Sequence, residues 1–148
     1  MPMAGVAHSD IVIPAALVAR LAGIRRAVEV GCGNDLATAK ALLAVFPRLD
    51  LLLTDVASPR GAPPHGIRHV VDDVTAPNAP LYAGADLVYG VRLPEELQRP
   101  AANVAKAVHA AFAVVPLKDE LVALDDVFPR HEVFTGRRQT WHVFSSGL

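Results

Sequence analysis

The stretch VEVGCGND, residues 28–35, gathers the residue types best suited to hold a small molecule at the end of a strand. Gly31 and Gly33 follow an apolar run at the spacing that lets a backbone turn tightly and a ligand approach the main chain. Dinucleotide sites use such a turn to place a pyrophosphate on the N-terminus of the next helix. Two residues oppose that ligand. Leu36 stands where the dinucleotide pattern wants a small side chain, and Asp35 puts negative charge where the pyrophosphate would sit. Like charges ~4 Å apart near a protein surface repel by about 1–4 kcal/mol. A ligand without phosphates avoids that conflict.

Other reactive groups are scattered. Cys32 lies between the two glycines and reads as a small turn residue, with no base identifiable beside it. The six histidines form no recognisable ligand set, so no metal is expected. Acids close two apolar runs: Asp55 ends LLLTD, and Asp72 and Asp73 end VVDD. Tyr89, Arg92, Pro94 and Glu95 follow closely in VYGVRLPEE.

These residues need a scaffold that brings strand ends together. IVIPAALVARLAG (11–23) carries Ile13, Leu17, Leu21 and Ile24 on one helical face, with Pro14 in the first turn and Gly23 as a stop. RAVEV (26–30) reads as a strand. NDLATAKALLAVF (34–46) reads as a helix with Asn34 as N-cap, Asp35 in the first turn and Pro47 beyond its end. LDLLLTD (49–55) is the continuous apolar run of a strand buried on both faces. IRHVVDD (67–73) and ADLVYGV (85–91) are further strands. LPEELQRPAANVAKAVHAAF (93–112) is helical, with Pro100 expected to break or kink it. AFAVVPL (111–117) is a fifth strand, and HEVFTGRRQTWHVF (131–144) a hairpin. Trp141 and Phe144 have opposite parity, so at most one is expected to face inward. The alternation predicts one α/β domain over residues 1–148. It would be a Rossmann-like three-layer sandwich with a mainly parallel sheet and a C-terminal antiparallel hairpin. Ligands in such sheets bind beyond the carboxyl ends of the strands.

VEVGCGND resembles the first motif of class I S-adenosylmethionine-dependent methyltransferases, which place an acid near the end of the first strand before a G-x-G turn. The resemblance implies that Glu29, Gly31, Cys32 and Gly33 line the methionine end of S-adenosylmethionine. It implies that Asp55 accepts hydrogen bonds from both ribose hydroxyls, with Val56 beside it. It implies that Asp73, with Asp72 as the second choice, faces the adenine amino group. Tyr89 completes the cofactor-facing set, and Arg92, Pro94 and Glu95 face the substrate. VEVGCG, TDV, VVDDVTAP, ADLVYGVRLPEELQRP and the tail hairpin together also resemble a small, uncharacterised, mostly archaeal Rossmann-like family. That closer resemblance covers most of residues 25–144 and implies the fold without a reaction. No catalytic residue is identified, and the fourth strand carries YGVRLPEE rather than the D/N-P-P-Y/F motif of amino methyltransferases.

With 52% hydrophobic residues in 148, the chain can bury a core, which argues against disorder. A net charge of −1 gives no general attraction to nucleic acid, and Arg137–Arg138 at the hairpin tip is the one RNA-contact candidate. A single cysteine fits a reducing compartment. MPMAGVAHSD does not read as a signal peptide, and no apolar run reaches spanning length, so a cytoplasmic protein without a membrane partner is expected. No insertion is long enough to cover the site. That leaves a small substrate, a protein partner or second copy that covers it, or a non-catalytic regulatory subunit. An NAD(P)-binding protein is the remaining alternative.

Overall fold

Runs such as RAVEV and DLLLTD lack polar alternation, so they can be stable only between two apolar layers. They become β1 (Arg26–Val30) and β2 (Asp50–Asp55). The computed structural model describes residues 11–33, 35–59 and 61–147. The readings of the first ten residues, and of Asn34 as N-cap, lie outside the described residues. α1 (Ala15–Arg20) precedes β1, and α2 (Ala37–Val45) links β1 to β2. β3 (Ile67–Val71), β4 (Leu87–Leu93), α3 (Glu95–Ala107) and β5 (Ala111–Pro116) follow. β6 (Arg130–Thr135) and β7 (Thr140–Ser145) form the tail hairpin.

The strands make one seven-stranded sheet in the order β3-β2-β1-β4-β5-β7-β6. The pairs among β1 to β5 are parallel, and β7 runs antiparallel to both β5 and β6. The order reverses between β1 and β4, and such a switch point opens a crevice at the carboxyl ends. Each face has its own core. Ala27, Leu51, Leu53, Leu87 and Val143 pack with Leu17 of α1 and Leu42 of α2. Val28, Leu52, Val88, Phe112 and Val114 pack with Ala101, Ala102 and Ala105 of α3. This is the expected three-layer Rossmann-like architecture.

Four local expectations are revised by the structure. Trp141 and Phe144 are both 2% exposed. Their parity does send them to opposite faces, but both faces are covered, and each residue enters a different core. Pro100 lies inside α3 without ending it, so of the expected break or kink the break does not occur. It is the sixth of the thirteen helical residues, where it removes one N–H bond, and the alanine face of α3 is anchored on the sheet. β3 stops at Val71, which leaves Asp72 and Asp73 in the following turn. β4 instead runs on to Leu93 and carries Arg92 within it.

The link from β5 to β6 contains a short 3-10 turn, Leu117–Asp119, and otherwise irregular chain. Such chain must satisfy its buried polar groups some other way. Gln98, fully buried on α3, does much of this. Its Nε2 donates to the carbonyls of Leu93 (3.0 Å) and Glu120 (2.8 Å), and its Oε1 accepts from the Val122 N–H at 2.8 Å.

Candidate functional site

Parallel strands deliver their carboxyl ends to one edge, so the residues just past β1, β2, β3, β4 and β5 are neighbours there. The β1 exit is fixed by main-chain bonds. The N–H groups of Gly31 and Cys32 both donate to the Thr54 carbonyl of β2, at 2.9 and 3.3 Å. Thr54 Oγ1 in turn donates to the Glu29 carbonyl at 3.1 Å. Gly31 and Gly33 take φ of 68° and 58°, the left-handed region open to glycine. A Cβ on Gly31 would also come within 3.3 Å of Leu93 Cδ1.

A cleft of about 290 Å³ opens at this turn, lined by Glu29, Asp35, Thr38, Val91, Arg92 and Leu117 together with the 31–33 turn. Glu29 is 3% exposed. It shares the face of Ala27, and Tyr89 Oη of β4 donates to its Oε1 at 2.7 Å. Burial pushes its pKa from 4.5 up to about 7; the Tyr89 bond pulls it down, and the Asp35 charge raises it further. An unliganded Glu29 is therefore close to half-protonated at neutral pH, and a cation placed beside it would ionise it. Asp35 Oδ1 accepts from the Ala37 N–H at 2.9 Å and thereby occupies the start of α2.

Tyr89 was expected to face a cofactor. It is fully buried, packs near Trp141 with centroids 6.2 Å apart, and meets the cleft only through Glu29. Burial and the neighbouring Glu29 charge hold its pKa well above the ordinary tyrosine value. Cys32 is 6% exposed, with Sγ 3.4 Å from His69 Nε2. Burial, then the Glu29 and Asp55 charges, push its thiol up to about 12, so it stays protonated at neutral pH and has no nucleophilic character.

Asp55 ends β2 half-buried, and its carboxylate has no hydrogen-bond donor among the described residues. Val56 beside it is 68% exposed. Of the two acids after β3, Asp72 turns inward. Its Oδ2 accepts from Tyr82 Oη at 2.6 Å and its Oδ1 from the Asn78 N–H at 3.0 Å. Asp73, the first expectation for the adenine contact, is exposed and closes its own turn. It accepts from the Thr75 N–H at 2.9 Å and Oγ1 at 2.6 Å, and these bonds lower its pKa. The reason is the early end of β3, which gives both acids to turn chemistry rather than to strand parity.

Arg92 is the member of the substrate-facing set that lines the cleft. Pro94 caps α3 and Glu95 stands exposed in its first turn. Arg92 has φ of 55°, left-handed for a non-glycine residue, at a register shift between Val91 and Leu93. Such a conformation costs on the order of 1–2 kcal/mol. It is accommodated because Leu93 folds back over two glycines: a Cβ on Gly90 would lie 2.9 Å from Leu93 Cδ2.

Sequence reasoning missed Thr38, Val91, Leu117, His69, Tyr82 and Gln98. Thr38, the second residue of α2, was traceable from the position of Asp35; the others depend on contacts distant in sequence. His65 and His69 are four apart, but they fall on a turn and a strand rather than on one helical face. Among the described residues no three histidine, cysteine, aspartate or glutamate side chains form a metal-binding group. No helix among them is long and apolar enough to cross a membrane.

A profile of the uncharacterised protein family UPF0146 matches residues 11–137. A UPF0146 protein of Archaeoglobus fulgidus is 40% identical over 62% of this chain and 68% of its own length. One from Halobacterium salinarum is 38% identical over 83% of this chain and 92% of its own. Among solved structures, human N-acetylserotonin methyltransferase in complex with SAM is similar, with a TM-score of 0.61 and 10% identity. The similarity covers 88% of this chain and 50% of that one. An O-methyltransferase family protein from Burkholderia thailandensis gives a TM-score of 0.54 and 15% identity, over 90% of this chain and 55% of that one. The chain thus spans about half the length of these two methyltransferases, and the likeness is one of fold.

Proposed function

The chain belongs to UPF0146, an uncharacterised protein family with archaeal members, and from that premise we propose that it binds S-adenosylmethionine and transfers its methyl group to a small molecule. The observation that carries this reading is the pair of acids, Glu29 and Asp35, on either side of the glycine turn in a cleft at the switch point of the sheet. A sulfonium and an α-ammonium group suit two carboxylates; a pyrophosphate does not. Asp35 also already takes the Ala37 N–H that a phosphate would need. Asp55, free on the adjacent strand end, is suited to accept two hydrogen bonds from a ribose diol.

In this reading Glu29 ionises as the cation arrives, with Tyr89 holding its Oε1 in place. When bound, S-adenosylmethionine would supply an electrophilic methyl group: the acceptor's lone pair would form the new bond in line as the S–C bond breaks, the electron pair would leave with sulfur as the neutral thioether, and the acceptor's proton would pass to solvent. Positioning and electrostatics dominate such a displacement, so a cleft without a general base is compatible with it. The similarity of the fold to methyltransferases supports the same reading.

The test is thermal unfolding with S-adenosylmethionine, S-adenosylhomocysteine, NAD and NADP in turn. A ligand at ~100 times its Kd stabilises by about 2.7 kcal/mol. That corresponds to a Tm shift of roughly 5–10 °C for a domain of this size. Shifts with the first two alone are expected. A shift with NAD or NADP would overturn the reading of Asp35, and no shift at all would assign the fold an interaction role instead.

A further inference from the structure

Arg92 occupies an unusual place. It is exposed, it lines the same cleft as Glu29 and Asp35, and it is presented by a left-handed residue at an irregularity in β4. Bulges at strand ends re-aim a side chain, and strained backbone persists only where the surroundings over-determine it. Here they do. Leu93 is packed over Gly31 and Gly90, and Gln98 Nε2 holds the Leu93 carbonyl at 3.0 Å. Arg20, Arg26, Arg68 and Arg99 each engage an acid, at 2.6 to 3.0 Å. Arg25, Arg48, Arg92, Arg130 and Arg137 have no such partner among the described residues, and of these Arg92 is the one that lines the cleft, where two acids stand.

We propose that Arg92 is the anion-recognition residue of this cleft, accepting a carboxylate or phosphate oxyanion of a bound small molecule in a bidentate contact. The inference rests on the cofactor reading above and deepens it. The guanidinium fork matches two oxygens of one planar or tetrahedral anion. Its position on β4, the strand beside the one that carries Glu29, puts positive and negative recognition in one cleft. Two sources could supply the oxyanion: the aminoacyl carboxylate of the cofactor, or an anionic group on the methyl acceptor.

The experiment compares wild type with Arg92→Gln, which keeps a side chain of similar reach on the same backbone. Calorimetry measures the affinity of each for S-adenosylhomocysteine and for 5′-methylthioadenosine, which keeps the nucleoside and thioether but lacks the aminoacyl group. A second arm follows the Arg92 Nε–H resonance of the wild-type S-adenosylhomocysteine complex during titration with inorganic phosphate, with Arg92→Gln assigning the signal. If the cofactor is the source, the variant loses ~10-fold or more in S-adenosylhomocysteine affinity and keeps that for methylthioadenosine. If the acceptor is the source, both affinities are unchanged and phosphate shifts the Arg92 resonance saturably. Unchanged affinities with no saturable shift overturn the proposal while leaving cofactor binding intact. A wild type that binds neither nucleoside overturns the cofactor reading, and this inference with it.

Discussion

Glu29→Gln should make the unliganded protein more stable at alkaline pH, and the size of the gain follows from burial. The Glu29 carboxyl has an ordinary value of 4.5 and is raised to about 7 in the folded chain. Below pH 4.5 folded and unfolded chains both hold the proton, and Glu29 imposes no penalty. Between 4.5 and 7 the unfolded chain ionises first, so stability falls as pH rises. Above 7 the loss is complete, at about 3 kcal/mol by proton linkage. Gln keeps the shape and an oxygen for Tyr89 Oη, now 2.7 Å from Glu29 Oε1, but cannot ionise. The variant should match wild type near pH 4 and exceed it by up to ~3 kcal/mol at pH 8, or roughly 6–12 °C in Tm. Urea unfolding followed by far-UV circular dichroism from pH 4 to 8.5 reads this directly. Other titrating groups, such as His142, whose pKa is lowered by burial and by His131, act in both proteins and cancel in the difference. A wild-type-minus-variant difference that stays flat across this range would refute the burial argument. The variant should also lose affinity for S-adenosylmethionine, because the carboxylate that destabilises the empty protein is the one that meets the cation.

Asp55→Ala should weaken S-adenosylhomocysteine binding by about 1–3 kcal/mol, measured by calorimetry, because a carboxylate free of donors is removed from the end of β2. Unchanged affinity would remove Asp55 from the site. Gln98→Leu should cost about 3 kcal/mol or more, since the carbonyls of Leu93 and Glu120 and the Val122 N–H lose a buried partner. The drop in urea midpoint should come with faster hydrogen exchange at Val122. Arg92→Gly should raise stability by up to ~1 kcal/mol, because glycine adopts the φ of 55° without strain while little buried contact is lost. A lower Tm in that variant would mean that the left-handed turn is not strained.

The sheet was legible because burial on two faces writes itself as apolar runs. DLLLTD and AFAVVP have no alternation to misread, and their bounds came out within a residue or two. The mainly parallel sheet and the three-layer packing follow from the alternation of strands with helices; the strand order was not read from the sequence. The details of the site were less legible. Glu29 sits in a run that reads as core, and only its contact with Tyr89, sixty positions away, shows how its charge is managed. Asp72 and Asp73 are chemically equivalent in sequence; Tyr82, in the loop that follows, decides which turns inward. Gln98 looked like an ordinary polar residue on a helix. Its three bonds replace the secondary structure that the β5–β6 link lacks, a substitution no local propensity encodes.

The two edges of the sheet separate stability from function. At the amino ends of the strands charge is matched. Asp86 Oδ2 accepts from the Arg25 and Arg26 N–H groups at 2.8 and 3.1 Å, and Asp50 pairs with both Arg26 and Arg68. At the carboxyl ends Glu29, Asp55 and Arg92 carry no ion pair among the described residues. Arg92 is also held in a left-handed conformation, and Glu29 is buried at the expense of its charge. The left-handed backbone of Arg92 and the buried charge of Glu29 each lower the stability of the empty protein, and both lie along the edge that also carries Asp55. Local rules broken together at one place mark a site whose partners arrive from outside. Charges matched by a ligand in this way predict that a bound cofactor restores stability most above pH 7, where Glu29 is most costly alone. Ligand-induced Tm shifts measured at pH 6 and pH 8 should therefore be larger at pH 8 for S-adenosylmethionine. They should be alike at the two pH values in Glu29→Gln.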